Sequence, residues 1–439
     1  MEIIVKAAQF FLSLSILIIF HEFGHFMFAR LFRTRVEKFY LFFNPWFSLF
    51  KIKKGETEFG LGWLPLGGYV KISGMIDESM DKEQMKQPPK PYEFRSKPAW
   101  QRLIIMLGGV LVNFILAFLI FSSILFVWGD QYLPAENLKY GIHADSLARE
   151  IGLQSGDKIV KLDGREVKDF SQIMPTLILE NVRNITVERY GELRDISFPE
   201  ELVPEILRGK PFISVRLPFI INGFTDDSPG KEAGLQENDR ILKLNGEELP
   251  YFNEFREKLQ QHSNQEVLVT VERDGAILDI PVRLPESGLL GVYPLGELTR
   301  FFELERIEYS LIQAIPAGIE RGVETFVSYL KQLRLIFSPQ TRAYESIGGF
   351  ITIGSIFPGE WDWQAFWYWT AFLSIILGIM NLLPIPALDG GHVMFLMYEI
   401  VTGRKPGEKF LEYAQIIGLL FLFSLLIFAN ANDIIRLLR

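Results

Sequence analysis

Polar and apolar positions along the 439-residue chain alternate between two regimes. Four runs carry no charge: Ala7–Phe20 (14 residues), Leu103–Gly129 (27), Trp363–Leu388 (26) and Tyr413–Asn432 (20). Each of the last three is long enough to cross a hydrocarbon core of about 30 Å as a helix. The first run is short by itself, but its apolar pattern resumes after a polar cluster and continues to Leu31. The pattern therefore predicts spans over 1–32, 102–129, 363–388 and 412–432. The rival reading of the first run is a cleaved signal peptide. Its opening segment is not clearly basic, however, and no small-residue cleavage site follows, so we read it as a retained span.

Between spans two and three the period changes to strands and turns, and the chain repeats itself. Ser146–Gly164 and Ser228–Gly246 share 10 of 19 positions at an offset of 82 residues. Each copy holds a Gly-Leu turn, an Asp, a short strand (Ile159–Leu162; Ile241–Leu244) and an Asp-Gly or Asn-Gly turn. A repeat of this length predicts duplicated small domains, at 136–205 and 210–295, rather than a solenoid of many short units. From Ile307 to Phe337 the apolar residues return to helical spacing, with charges on the remaining faces. This predicts an amphipathic helix over 305–338, lying at the membrane surface or packed on the repeats. The loop between spans one and two, 33–101, carries alternating Gly-rich segments around Gly60 and Gly67-Gly68. It predicts a small β-hairpin against the membrane, followed by a polar linker over Asp77–Pro91.

Composition narrows the class. A net charge of −8 offers no basic footprint, which excludes nucleic acid as a partner. With no cysteine, the chain has no disulfides, no thiolate zinc site and no cysteine nucleophile. Arg30, Arg33, Arg35 and Lys38 follow span one, Arg95, Lys97 and Arg102 precede span two, and Arg404, Lys405 and Lys409 separate spans three and four. The positive-inside rule then puts both short loops in the cytoplasm and the repeats and both termini outside, although Arg436 and Arg439 run the other way.

The polar cluster in span one is His21-Glu22-Phe23-Gly24-His25. On a helix His21 and His25 lie one turn apart on one face, so both imidazoles can hold one zinc ion. Glu22 is then placed to take a proton from a water held by the metal. Ionisable residues at membrane depth are costly to keep and read as functional. A catalytic zinc needs a third protein ligand, and span three ends Asn381-Leu-Leu-Pro384-Ile-Pro386-Ala-Leu388-Asp389-Gly390-Gly391-His392. Two prolines break the helix before Asp389, and two glycines permit close backbone approach. His21 lies about 21 Å along a helix entered from outside at Ala7, and Asp389 ends a span entered from the same side. The two motifs therefore meet at similar depth. His392 is a rival ligand; His143 and His262, in the outer segment, read as surface residues.

Together, His21-Glu22-x-x-His25, Gly109-x-x-x-Asn113 and Asn381-x-x-Pro384-x-Pro386-x-Leu388-Asp389-Gly390 resemble the site-2 protease family of intramembrane zinc metalloproteases. Within it the chain is similar to the bacterial regulator-of-sigma-E protease branch, which has four spans and tandem periplasmic PDZ domains. The repeats resemble PDZ domains, which bind a peptide by strand addition or serve only as steric filters. Ser346–Phe350 matches a Gly-Pro loop of the family loosely, without the proline. The resemblance implies a multi-pass α-helical inner-membrane protein with two inserted β-rich PDZ domains. It implies zinc on His21, His25 and Asp389, and Glu22 as the base that activates water. Asn381, Pro384 and Pro386 would help hold an unwound substrate, with Gly68 and Tyr69 on the loop presenting an edge strand. The implied partner is a single-pass transmembrane protein, such as an anti-sigma factor or remnant signal peptide, already cut by a site-1 protease and screened by the PDZ pair. A zinc transporter and a membrane scaffold with a vestigial metal site are the rival functions.

Overall fold

The computed structural model describes residues 1–65, 67–75, 87–336 and 347–438, and the chain divides into two compact units. Residues 77–86 of the predicted linker and Ser346 lie outside the described residues.

The first unit contains 1–129, 308–336 and 347–438. Helix α1 (Glu2–Leu31) leads into strands β1 (Val36–Leu41), β2 (Phe50–Lys54), β3 (Thr57–Leu61) and β4 (Tyr69–Ile72), and then α2 (Ala99–Trp128). After the second unit come α3 (Leu311–Ile336), α4 (Phe350–Ser355), α5 (Trp363–Leu382), α6 (Asp389–Thr402) and α7 (Glu408–Leu438). Among the described residues, four helices are long and apolar enough to cross a membrane, namely α1, α2, α5 and α7.

Helix α2 is the hub of this unit, because small residues let its neighbours approach closely. A Cβ on Gly24 of α1 would sit 2.2 Å from the Gly108 carbonyl oxygen, and one on Gly108 would sit 2.7 Å from that of Gly24. From α5, Ser374 Oγ donates to the Asn113 carbonyl at 2.8 Å, while Thr370 Oγ1 donates to Ser13 Oγ of α1 at 3.0 Å. Interhelical hydroxyl bonds of this kind satisfy polar groups that lipid cannot. Helix α3 also packs on α2, through Gly318 against Ser122 and Gly322 against Phe118. This differs from the surface-lying helix that the sequence pattern suggested. Its buried stripe is Ala314, Gly318 and Gly322, while the larger Ile319 and Val323 stay exposed. Periodicity finds the bulky stripe; close packing selected the small one in the first half of the helix, and Phe326 and Leu333 of the bulky stripe pack on the core further along.

The loop after α1 is larger than the expected hairpin. It forms a four-stranded sheet in the order β2-β3-β1-β4, with β1 and β3 parallel and the other pairs antiparallel. Parallel pairing joins strands remote in sequence, which local alternation cannot reveal. The order leaves β4 as an edge strand, and Gly68 brings that edge onto α1. A Cβ at Gly68 would lie 2.5 Å from Ile18 Cγ2 and 3.4 Å from Glu22 Cγ.

In the second unit, 130–307, the strand topology repeats along with the sequence. The first copy contains β5 (Lys158–Leu162), β6 (Arg165–Glu166), β7 (Asn184–Arg189) and β8 (Glu192–Ser197). The second contains β9 (Arg240–Leu244), β10 (Glu247–Glu248), β11 (Glu266–Arg273) and β12 (Ala276–Arg283). Both sheets have the same order, β8-β7-β5-β6 and β12-β11-β9-β10, all antiparallel. Both also break register at matching places, Ile159/Lys161 and Ile241/Lys243. The predicted Asp163-Gly164 and Asn245-Gly246 turns have positive φ at both residues, as two-residue hairpin turns require. Each copy closes its own core, one around Ile159, Ile185 and Val187 and the other around Ile241, Val267 and Val269.

A buried ion pair is duplicated as well. Asp157 and Asp239, 1% and 0% exposed, each accept two bonds from an arginine, Arg189 and Arg273. Each also accepts a backbone N–H, from Gln154 and Gln236 respectively. Removing one partner strands a buried charge. Arg273→Ala, which leaves the fully buried Asp239 carboxylate unpaired, is expected to destabilise the unit by about 3–5 kcal/mol, read as an earlier urea transition of the full-length protein in detergent. An unchanged midpoint would show that the pair contributes no net stability.

Candidate metal centre and cleft

One unbroken helix carries both histidines of the motif, and α2 orients them. His21 and His25 are stacked edge to face, with ring centroids 4.9 Å apart. His25 Nδ1 lies 2.9 Å from the Ile105 carbonyl oxygen of α2. A carbonyl only accepts, so Nδ1 carries a proton, and in the neutral ring Nε2 then keeps its lone pair. The side-chain amide of Asn113, two turns along α2, lies 3.1 Å from His21 Nδ1. Between them Gly109 supplies clearance. A Cβ there would sit 2.5 Å from His25 Nε2 and 2.6 Å from His21 Cε1.

Asp389 comes from the other end of the sequence. Helix α5 stops at Leu382, the stretch holding Pro384 and Pro386 is non-helical, and Asp389 opens α6. This break is the one the two prolines predict. Ala387 adopts φ +80°, a left-handed conformation that a non-glycine residue holds only when its surroundings impose it. Gly390 and Gly391 allow the loop to fold back on α6; a Cβ on Gly390 would lie 2.2 Å from the Leu383 carbonyl oxygen.

These elements bring His21 Nε2, His25 Nε2 and Asp389 Oδ2 into a triangle whose three sides are each 3.3 Å. Tetrahedral ligands with bonds of roughly 2.0–2.1 Å to zinc are separated by about 3.3 Å, so the donor set fits the metal. Asp389 Oδ2 is also buried without a hydrogen bond of acceptable geometry, although both Nε2 atoms are close. Such an atom calls for a cation. His392 lines the adjacent cleft but is not part of the triangle.

The cleft beside the triangle has a volume of about 440 Å³ and is lined by His21, Glu22, His25, Tyr69, Asp389 and Gln415, among others. Glu22 faces the cavity that the donor atoms face. Gly68 and Tyr69 form part of its wall, and the Tyr69 ring is locked by stacking on Tyr40 and by a bond from its hydroxyl to Asn44 Oδ1. Asn381 reaches the centre itself, its Nδ2 lying 3.4 Å from His21 Nε2. Pro384 and Pro386 are not among the lining residues, and Pro386 instead meets α7, where its carbonyl crowds Gly418. Two contributors escaped sequence reading, while Gly109 stood in the Gly109-x-x-x-Asn113 pattern without a role. A backbone acceptor such as Ile105 leaves no side-chain signal. Gln415 left a weak one, a lone amide inside an apolar run.

His143 is a correction: it is 2% exposed rather than a surface residue. Its ring faces Asp145, Glu254 and Glu257 at 3.9, 3.8 and 3.5 Å, because the second repeat's helix Phe252–Leu259 covers it. Burial pushes the Asp145 carboxyl above its usual range. At Glu254 burial acts the same way but is outweighed by His143 and Arg216, which hold that carboxyl below it. Arg149 takes both oxygens of Glu257, so the group is an ion-pair network with wider spacing than the triangle. His262 is partly exposed and bonds Gln265.

Comparison with known proteins places this geometry in context. The family model described as peptidase family M50 matches residues 9–425. The chain is 30% identical to the regulator of sigma E protease of Haemophilus influenzae over all of both proteins. It is 29% identical to the regulator of sigma-E protease RseP of Escherichia coli over 98% of each, and 28% identical to the protease RseP of Yersinia pestis over both full lengths.

The clearance at Gly109 is directly testable. Gly109→Ala pushes a methyl between the imidazoles and is expected to lower bound zinc well below one ion per chain in purified protein, measured by mass spectrometry of the metal. Full zinc content in that variant would mean that the rings do not need this gap.

Proposed function

The chain belongs to peptidase family M50, the site-2 proteases, and is a zinc metalloprotease of that type; on this basis we propose that it hydrolyses a peptide bond within or near the transmembrane segment of a single-pass membrane protein. The observation that carries this reading is the 3.3 Å triangle of His21, His25 and Asp389 beside Glu22, in a cleft walled by an edge strand. His21, His25 and Asp389 are the proposed zinc ligands. Zinc held there supplies the polarisation of the scissile carbonyl and the acidity of the attacking water. Glu22 accepts the proton of that water and returns it to the departing amine nitrogen. The Asn381 amide, directed at the same point, is proposed to donate to substrate oxygen.

A transmembrane helix hides its carbonyls in its own hydrogen bonds, so it must be extended before attack. Strand β4 is the proposed holder: it is a sheet edge, it lines the cleft, and Gly68 sets it against α1 beside Glu22. Pro384 and Pro386 contribute by shaping the loop that presents Asp389. The matching strand order, bulge and turns of the two repeats support reading 136–205 and 210–295 as tandem PDZ domains. We propose that they lie in the periplasm of an inner-membrane protein and admit substrates whose outer domain a site-1 protease has already removed. Anti-sigma factors and remnant signal peptides are the proposed substrate classes, and the active site faces the cytoplasmic side.

The test is reconstitution with a single-pass substrate. Glu22→Gln is expected to keep its zinc and to lose cleavage by about 10²–10⁴-fold. Undiminished cleavage would remove Glu22 as the base.

A further inference from the structure

We propose that Asn113 sets the tautomer of His21, and thereby makes its Nε2 a metal donor; this inference rests on reading His21, His25 and Asp389 as the zinc site. An imidazole that gives Nε2 to a metal must carry its proton on Nδ1, and that N–H needs an acceptor. His25 has one in the Ile105 carbonyl, 2.9 Å away. The corresponding neighbour of His21 Nδ1 is the Asn113 carboxamide, 3.1 Å away and fully buried, with no water exposure to provide a substitute.

The two ends of a carboxamide are nearly isosteric and turning it over exchanges them. With nitrogen toward His21, Asn113 Oδ1 is buried and has no donor. With oxygen toward His21, it accepts from Nδ1–H, and that ring then has its lone pair on Nε2. A ring protonated at Nε2 instead would point a hydrogen into the 3.3 Å triangle and could not bind metal. The backbone of Asn113 is pinned as well, since its carbonyl accepts from Ser374 Oγ at 2.8 Å. Residues 105, 109 and 113 thus form one stripe of α2, four residues apart. They supply in turn a carbonyl for one histidine, a gap for both rings and an amide for the other histidine. Asn113 is not itself among the residues that line the cleft and acts through His21, so it is a positioning residue.

The test uses the full-length protein in detergent, stripped of metal and titrated with cobalt(II), whose visible absorption reports a tetrahedral site. Competition by zinc then gives the zinc affinity without any cleavage assay. Asn113→Leu, close in volume but unable to accept, is expected to bind 10–100-fold more weakly. Asn113→Asp, whose carboxylate accepts from Nδ1–H, is expected to stay near wild type. Circular dichroism and gel filtration report folding; should the leucine variant not fold, Asn113→Ala against Asn113→Asp gives the same contrast. Wild-type affinity in the leucine or alanine variant overturns the proposal, and so does an aspartate variant as weak as they are. His21→Ala separates the two readings. If it binds cobalt like wild type, the assignment of the metal ligands fails, whatever Asn113 does.

Discussion

The contact of α1 with α2 at Gly24 and Gly108 is the constraint on which the site depends. Each glycine lies where the other helix's backbone would meet a side chain, so the two axes come as close as backbones allow. That approach puts the Ile105 carbonyl and the Asn113 amide within hydrogen-bond reach of imidazoles on the facing helix. A larger residue at either glycine would move both histidines off their partners together. In hydrocarbon those ring nitrogens would have no water to turn to, so the separation of two helices becomes a matter of donor and acceptor satisfaction.

The third donor depends on a different device, a broken helix. Asp389 reaches the histidines because α5 ends six residues before Leu388, and the intervening loop holds Ala387 in a strained conformation. Irregular backbone at membrane depth is tolerated when it lines a cavity in the protein. Here the loop borders the cleft through Ala387 and Leu388, and Pro386 seats against Gly418 of α7. Strain in the loop and close packing of its surroundings are therefore two sides of one arrangement. The glycines at 390 and 391 serve the same end, since a side chain there would collide with the carbonyls of Leu383 and Ile385.

Outside the helices, the repeat keeps more than sequence identity. Ion pair, bulge and hairpin turn recur at matching places, and each copy is closed around its own apolar core. The helix of the second copy also buries His143 of the first among three carboxylates and two arginines. Duplication explains the resemblance between the copies. It does not explain the interface, which joins non-equivalent residues and left no repeated signal.

Short-range physics was readable from the chain alone. Uncharged length determined the four long apolar helices, the i, i+4 spacing placed two imidazoles on one face, and paired prolines ended α5. Asp-Gly and Asn-Gly turns set the register of both repeats. Each of these follows from residues adjacent in sequence. What only the folded molecule decided involves partners remote along the chain. Ile105 offers a backbone carbonyl that any residue possesses, and β1 pairs with β3 in parallel. The first half of helix α3 buries its small stripe instead of its bulky one, because glycine facing Ser122 and Phe118 permits contact that isoleucine would block. The triangle of donors lies between these limits. Its members could be named from the sequence, but their common 3.3 Å spacing comes from two glycine contacts and one broken helix acting together.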